Sequence, residues 1–249
     1  MKDLRVHIAP IGLDSAERIW KPLVEMRADK AYLISHLKDS KEVEKIITQV
    51  KKILERRLSA CGIELIRTDI WDLFLCLKEY RQIFLIEKEN RLFVNVSTGS
   101  KILAIGGMLS CMIWGGSPYY AQLDYSSAHS PRAAKLSVRS IEALPVYSLR
   151  TPSEESLKVL SIIDDASQGS MRKKDLIKKL QSPEYELIQQ YRSNQPTAPH
   201  SKLRAILEPL ENEWKFVSVE ARGRRSVVKL TPQGQAALKI FGKHETHAL

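Results

Sequence analysis

Residues 4–123 alternate short apolar runs with amphipathic stretches, and that alternation leaves few folds open. Leu4–Pro10 is a strand-like run that ends at Gly12, and Asp14 or Ser15 then caps a helix carrying Ile19, Trp20 and Leu23. Ala31–Ser35 is a second run. Ser40 caps a long helix whose Val43, Ile46, Ile47, Val50, Ile53, Leu54 and Leu58 follow 3.6-residue spacing. Ile63–Ile66, a helix over 69–87, Leu92–Val96 and a helix to about Trp114 continue the series, with Pro118–Leu123 and Leu144–Leu149 as later strands. Strand and helix in strict alternation imply right-handed βαβ units and a mostly parallel α/β sheet with helices on its faces. Ligands of such sheets sit beyond the carboxyl ends of the strands. That rule singles out two loops, Pro10–Ser15 and Ser97–Lys101.

The pattern changes at Thr151-Pro152-Ser153, which predicts one domain over 1–150 and a second over 151–249. Ser153-Glu154-Glu155 opens a helix with Leu157, Leu160, Ile162 and Ile163, broken at Gln168-Gly169-Ser170. Met171–Leu180 reads as a short basic helix, 181–199 as a proline-bearing connector that is partly helical, and Ser201–Asn212 as the next helix. A hairpin follows: Trp214–Val219, a turn at Arg222-Gly223-Arg224, and Val227–Leu230. Thr231-Pro232-Gln233-Gly234 then opens the last helix.

Over about 154–241 this order resembles the winged helix-turn-helix of prokaryotic transcription regulators, most specifically in the ending RGRRSVVKLTPQGQAALKI. The chain departs from many relatives at Glu213-Trp214, where they place a Gly. The resemblance implies double-stranded DNA as partner. His200, Ser201, Lys202 and Arg204 would face the major groove, and Arg222, Arg224 and Arg225 of the wing would follow the backbone or enter the minor groove. Lys173 and Lys174 would meet phosphates, although taken singly the lysines of 171–179 read as a solvated face.

Charge agrees with a polyanionic partner: 39 Lys and Arg oppose 29 Asp and Glu, for a net +10. Both halves carry the excess, 23 basic against 17 acidic in 1–150 and 16 against 12 in 151–249. Cys61, Cys76 and Cys111 form no C-x-x-C, which argues against a disulfide scaffold or zinc knuckle and fits a reducing cytoplasm. No signal-peptide layout opens the chain, and Ile102–Trp114 is too short to span a bilayer, so no membrane partner is expected.

The segment NVSTGSK, between a strand and a helix, is the sharpest local feature. Small residues let backbone N–H groups approach an anion, and the helix N-terminus adds a favourable dipole. It lacks both G-x-x-x-x-G-K-[ST] and G-x-G-x-x-G, so neither a Walker A loop nor an ordinary NAD site is present. A βα sheet whose fourth strand ends this way, joined to a winged helix, resembles the CRISPR-associated Rossmann-fold (CARF) sensors. The resemblance spans about 1–150 by topology, with motif support at 9–15 and 95–101. It implies a Rossmann-like homodimer with a cyclic oligoadenylate effector across its twofold. Gly12, Leu13, Asp14, Ser97, Thr98, Gly99, Ser100 and Lys101 would line the ligand site. Asp14 would repel a phosphate, so it reads either as a helix cap or as a partner of a ribose hydroxyl. Gly106-Gly107 reads as close helix–sheet packing, and Gly115-Gly116 as a turn.

Some proteins with this sensor fold cleave their cyclic ligand, but no general base falls in either loop. His7 lies inside the first strand and His36 follows the second, no H-E-x-x-H or carboxylate cluster suggests a metal, and no catalytic residue is assigned. No cofactor is expected beyond the effector. The reading is a ligand-responsive DNA-binding transcription regulator. The alternatives are a slow metal-independent ring nuclease with a DNA-binding tail and a protein-docking adaptor.

Overall fold

Val6 and Ile8 point to one side of the first strand and His7 and Ala9 to the other, and this two-residue period decides which helices cover which face. The structure is a computed structural model, described here for residues 3–58, 60–124, 137–185, 187, 198–222 and 225–242. The chain divides into two compact units, Met1–Arg150 and Thr151–Leu249.

In the first unit the elements are β1 (Arg5–Pro10), α1 (Ala16–Glu25), β2 (Lys30–His36), α2 (Lys41–Arg57), β3 (Gly62–Thr68), α3 (Leu73–Ile86), β4 (Arg91–Asn95), α4 (Lys101–Trp114), β5 (Ser117–Leu123) and β6 (Val138–Ala143). The sheet order is β3-β2-β1-β4-β5-β6, parallel except for β6, which runs antiparallel to β5. This is the mostly parallel, Rossmann-like sheet expected. Ile19 and Leu23 of α1 and Val43, Ile47, Val50 and Leu54 of α2 bury against Ala9, Ala31 and Leu33. Tyr80, Ile83 and Phe84 of α3 and Leu103 and Cys111 of α4 bury against Val6, Ile8, Tyr32, Ile34 and Val94 on the opposite face. Gly107 of α4 permits that approach to the sheet, whereas Gly106 faces α3 with room for a Cβ at ordinary contact distance. A Cβ on Gly107 would sit 2.9 Å from Val94 Cγ1, and one on Gly106 3.5 Å from the Tyr80 ring. Gly115, the left-handed C-cap of α4, makes the turn.

Leu144–Leu149 is not a strand. The last strand is β6, and the pairing ends when Leu144 N–H donates to Pro118 O. Pro145 has no N–H to continue the ladder, and the chain instead runs to α4, where Leu149 N–H donates to Met112 O at 3.0 Å.

The second unit contains α5 (Glu154–Asp164), β7 (Ser170–Arg172), α6 (Lys173–Leu180), α7 (Ala198–Asn212), β8 (Val217–Arg222), β9 (Arg225–Leu230) and α8 (Pro232–Phe241). Its sheet order is β7-β9-β8, all antiparallel. Met171 and Arg172, expected as helix, are extended because Met171 pairs with Val228 of β9. Helices α5, α6 and α7 bury Leu160, Ile163, Leu176, Leu180, Leu203 and Leu207 against Val217 and Val228. Each such side chain contributes roughly 1.5–3 kcal/mol. Most of the connector 181–199 and the wing residues Gly223 and Arg224 lie outside the described residues.

The Leu-Thr-Pro-x-Gly segment has a structural reason at each position. Thr231 Oγ1 accepts Gly234 N–H at 3.1 Å as N-cap and donates to Lys215 O at 2.6 Å. Pro232 opens α8, where no N–H is required. A Cβ on Gly234 would lie 2.2 Å from Phe216 O. After α7 the turn into β8 is made by Lys215 in the left-handed conformation, with φ 56°. A non-glycine side chain there costs roughly 1–2 kcal/mol.

Candidate ligand loops and nucleic-acid interface

Strand order places the two sequence-selected loops side by side. β1 runs on to β2 on one side and lies against β4 on the other. The carboxyl ends of β1 and β4 therefore flank the switch point where such sheets bind ligands.

The loops are joined by hydrogen bonds that sequence does not reveal. Thr98 Oγ1 donates to Pro10 O at 2.7 Å, and Gly99 N–H donates to Asp14 Oδ2 at 2.7 Å. Gly99 is left-handed, φ 78°, and a Cβ there would lie 2.5 Å from Pro10 Cβ, so only glycine lets the loops close. Gly12 meets it from the other side, its Cβ position 3.2 Å from Gly99 Cα. Ser97 donates through both N–H and Oγ to Asn95 Oδ1. Ser100 Oγ accepts Leu103 N–H as the cap of α4 and donates to Ile70 O at 2.7 Å.

The three hydroxyls expected to face a ligand thus give their protons to the protein, and Ser97, Thr98 and Ser100 are all buried. Asp14 is not the side-chain cap of α1. The N-cap is Ser15, and the Asp14 carboxylate takes the Gly99 N–H with Arg18 Nη1 3.8 Å away. Burial raises its pKa, opposed by the Gly99 hydrogen bond and by Arg18. Of the expected ligand residues, Leu13 and Lys101 are the exposed ones. Lys101 opens α4 and has no side-chain partner among the described residues.

Asn95 was missed as a functional position, although a signal existed. Pro22 lies inside α1 and has no N–H for the carbonyl four residues back, that of Arg18. Asn95 Nδ2 supplies the missing donor, 2.9 Å from Arg18 O, so one side chain ties α1 to the β4 loop. The β3–α3 turn was also missed. Ser100 anchors it, leaving Trp71 68% exposed next to Ile70. His36 is held by its own turn, Nδ1 accepting Lys38 N–H. His7 is fully buried, stacked on Phe93, and burial lowers it from its ordinary 6.5 to about 4.

In the second unit, His200, Ser201, Lys202 and Arg204 are exposed at the start of α7. Lys202 pairs with Glu155 of α5 at 3.9 Å and Arg204 with Glu208 at 3.6 Å. Arg222 and Arg225 are cross-strand partners at the base of the wing. Among the described residues no cluster of His, Cys, Asp and Glu is placed to hold a metal, and no helix is long and apolar enough to cross a membrane.

The fold defines a class: a Rossmann-like α/β domain followed by a winged helix domain. Residues 5–125 match the HFX_2341_N-like N-terminal family model, and residues 155–242 match the DUF6293 C-terminal winged helix domain. The chain therefore joins an HFX_2341_N-like domain to a DUF6293-type winged helix domain. No curated protein matches it by sequence. Among solved structures it is similar to Can2 from Sulfobacillus thermosulfidooxidans in complex with cyclic tetra-adenylate (10% identity, TM-score 0.42, 96% of this chain and 64% of that one). It is also similar to Enterococcus italicus Csm6 bound to cyclic hexa-2'-fluoro-hexa-dAMP (14%, 0.45, 84% and 56%). A third is VC1899 from Vibrio cholerae (11%, 0.40, 95% and 64%). The chain spans less than two thirds of the length of each.

Proposed function

We propose that this chain is a ligand-responsive, DNA-binding transcription regulator of the cytoplasm. In this reading residues 1–150 form a dimerising sensor for a cyclic oligoadenylate and residues 151–249 the DNA-binding output. The observation that carries it is the union of the β1 and β4 loops at the switch point, through Asp14–Gly99 and Thr98–Pro10, in a chain that ends in a winged helix domain. The loops offer a braced rim with a cation at a helix N-terminus, Lys101, that has no partner among the described residues, and an anion there relieves the unfavourable placement of that charge. Gly12, Leu13, Gly99 and Lys101 line the ligand directly. Asp14, Ser97, Thr98 and Ser100 hold the rim in shape, and the indole of Trp71 supplies a face for a base. The ligand class follows the resemblance of these loops to CARF sensors. His200, Ser201, Lys202, Arg204 and the wing arginines Arg222, Arg224 and Arg225 lie against duplex DNA.

Calorimetric titration of cyclic tetra- and hexa-adenylate into the wild type and Lys101→Ala tests the sensor. Wild-type binding that weakens at least tenfold in the variant is expected. DNA binding is then measured with and without the ring. Affinity for a duplex that no adenylate ring changes, with no ring bound, would falsify the regulator.

A further inference from the structure

We propose that α6, rather than the start of α7, is the main electrostatic contact of the winged helix domain with the phosphate backbone of duplex DNA. This rests on the DNA reading above and names the surface that does the binding.

Helix α6 buries Leu176, Ile177 and Leu180 and turns Lys174, Lys178 and Lys179 to solvent. Arg172, exposed, is its N-cap residue, and Lys173 begins its first turn. The helix holds four lysines against one acid, Asp175. None of Arg172, Lys173, Lys174, Lys178 and Lys179 has an ion pair or a side-chain hydrogen bond among the described residues. Helix α7 is the opposite case. Lys202 and Arg204 are balanced by Glu208 and Glu211, and both cations already sit beside a carboxylate.

The arrangement on α6 works against the helix itself. Lys173 and Lys174 stand in the first turn, where the positive end of the helix dipole repels cations. Lys174 and Lys178, four residues apart, share one stripe and repel each other. A line of phosphates relieves both repulsions together. The β-sheet adds position. Arg172 pairs in register with Val227 of β9, two residues from Arg225 where that strand leaves the wing. The start of α6 and the base of the wing are therefore about 7 Å apart along one strand, so a single backbone can run past both. An acidic protein surface would meet the same charges. The duplex is favoured because neutralising evenly spaced cations on a helix suits a regular array of phosphates, and because the winged helix match covers this helix.

The test uses the full-length chain and a fluorescent duplex from the DNA upstream of its own coding sequence. Binding constants are measured over a range of salt concentrations. Lys174→Ala, Lys178→Ala and Lys179→Ala are combined, alanine preserving helix propensity. Each phosphate contact contributes roughly 0.9 to the slope of log K against log salt. The triple variant should flatten the slope by roughly 2.7 and lower affinity at least tenfold at physiological salt. Arginine at the same three positions should keep the wild-type slope. Lys202→Ala with Arg204→Ala should change it by less than roughly 1. A triple-alanine variant that is folded by circular dichroism and keeps the full slope overturns the assignment of α6, while DNA binding stands. A wild type that binds no duplex, or binds only phosphatidylserine vesicles or an acidic protein partner, overturns the DNA reading and α6 with it.

Discussion

Replacing Thr98 with Val tests whether the hydroxyls of the β4 loop brace the site or contact the ligand. Val keeps the size and β-branching of Thr, so the χ1 preference is retained and the change isolates the hydroxyl. Thr98 is 2% exposed and its Oγ1 donates to Pro10 O at 2.7 Å. Its loss leaves a buried carbonyl short of a partner, which costs about 1–3 kcal/mol. For a chain of this size that lowers the melting temperature by roughly 2–12 °C. Scanning calorimetry of the full chain measures the change, and titration with cyclic tetra-adenylate follows on the same samples. Stability and affinity should fall together, because Pro10 and Thr98 hold the two loops at one spacing. Lys101→Ala should do the reverse, leaving stability within about 0.5 kcal/mol, as for an exposed surface position, while affinity falls. A Thr98→Val protein of wild-type stability that has lost the ligand would refute the bracing role and place the hydroxyl against the ligand.

Three further outcomes follow from packing and charge. Native His7 is neutral, lowered to about 4 chiefly by burial, whereas the unfolded chain takes up a proton near 6.5, so stability falls as pH drops through that window. Between pH 7.5 and 5 the wild type should lose about 2 kcal/mol that His7→Phe does not lose, measured by urea denaturation. Glu87 accepts from Lys30, Tyr32 and Asn90. Burial pushes its pKa up, but those hydrogen bonds prevail and leave it lowered. Its contribution is therefore present above the ordinary carboxylate pKa and lost as pH falls through the lowered one. Glu87→Gln should cost about 1–3 kcal/mol at pH 7 and progressively less in acid, and equal destabilisation at pH 3 and 7 would count against the ion pair. Gly234→Ala should destabilise the winged helix domain by about 1–3 kcal/mol, because the new methyl meets Phe216 O at 2.2 Å. Unchanged thermal unfolding would mean that the β8 start yields freely.

What the amino-acid order determined by itself was local. Period-two and period-3.6 burial specified the alternation of strands and helices in 1–123. Serine and threonine before acidic or apolar runs specified the helix starts at Ser40, Ser153 and Thr231, whose capping bonds reach only three residues along the chain. Pro10–Ser15 and Ser97–Lys101 were legible as a pair because they end strands of a parallel sheet. Tertiary structure decided what those loop residues do. Thr98 meets Pro10 across 88 residues, Asp14 meets Gly99 across 85, and Asn95 meets Arg18 across 77. No local pattern says which acceptor a hydroxyl will find at that distance, because β4 lies beside β1 only through the strand order. The same reason hid β7, three residues that are extended only because β9 pairs with them, and β6, whose polar alternation has meaning only against β5. On the winged helix side, charge counting made α6 look like a solvated face. Among the described residues, the cations of α7 sit beside carboxylates and those of α6 have no partner, which is a property of neighbours in space rather than of residue type.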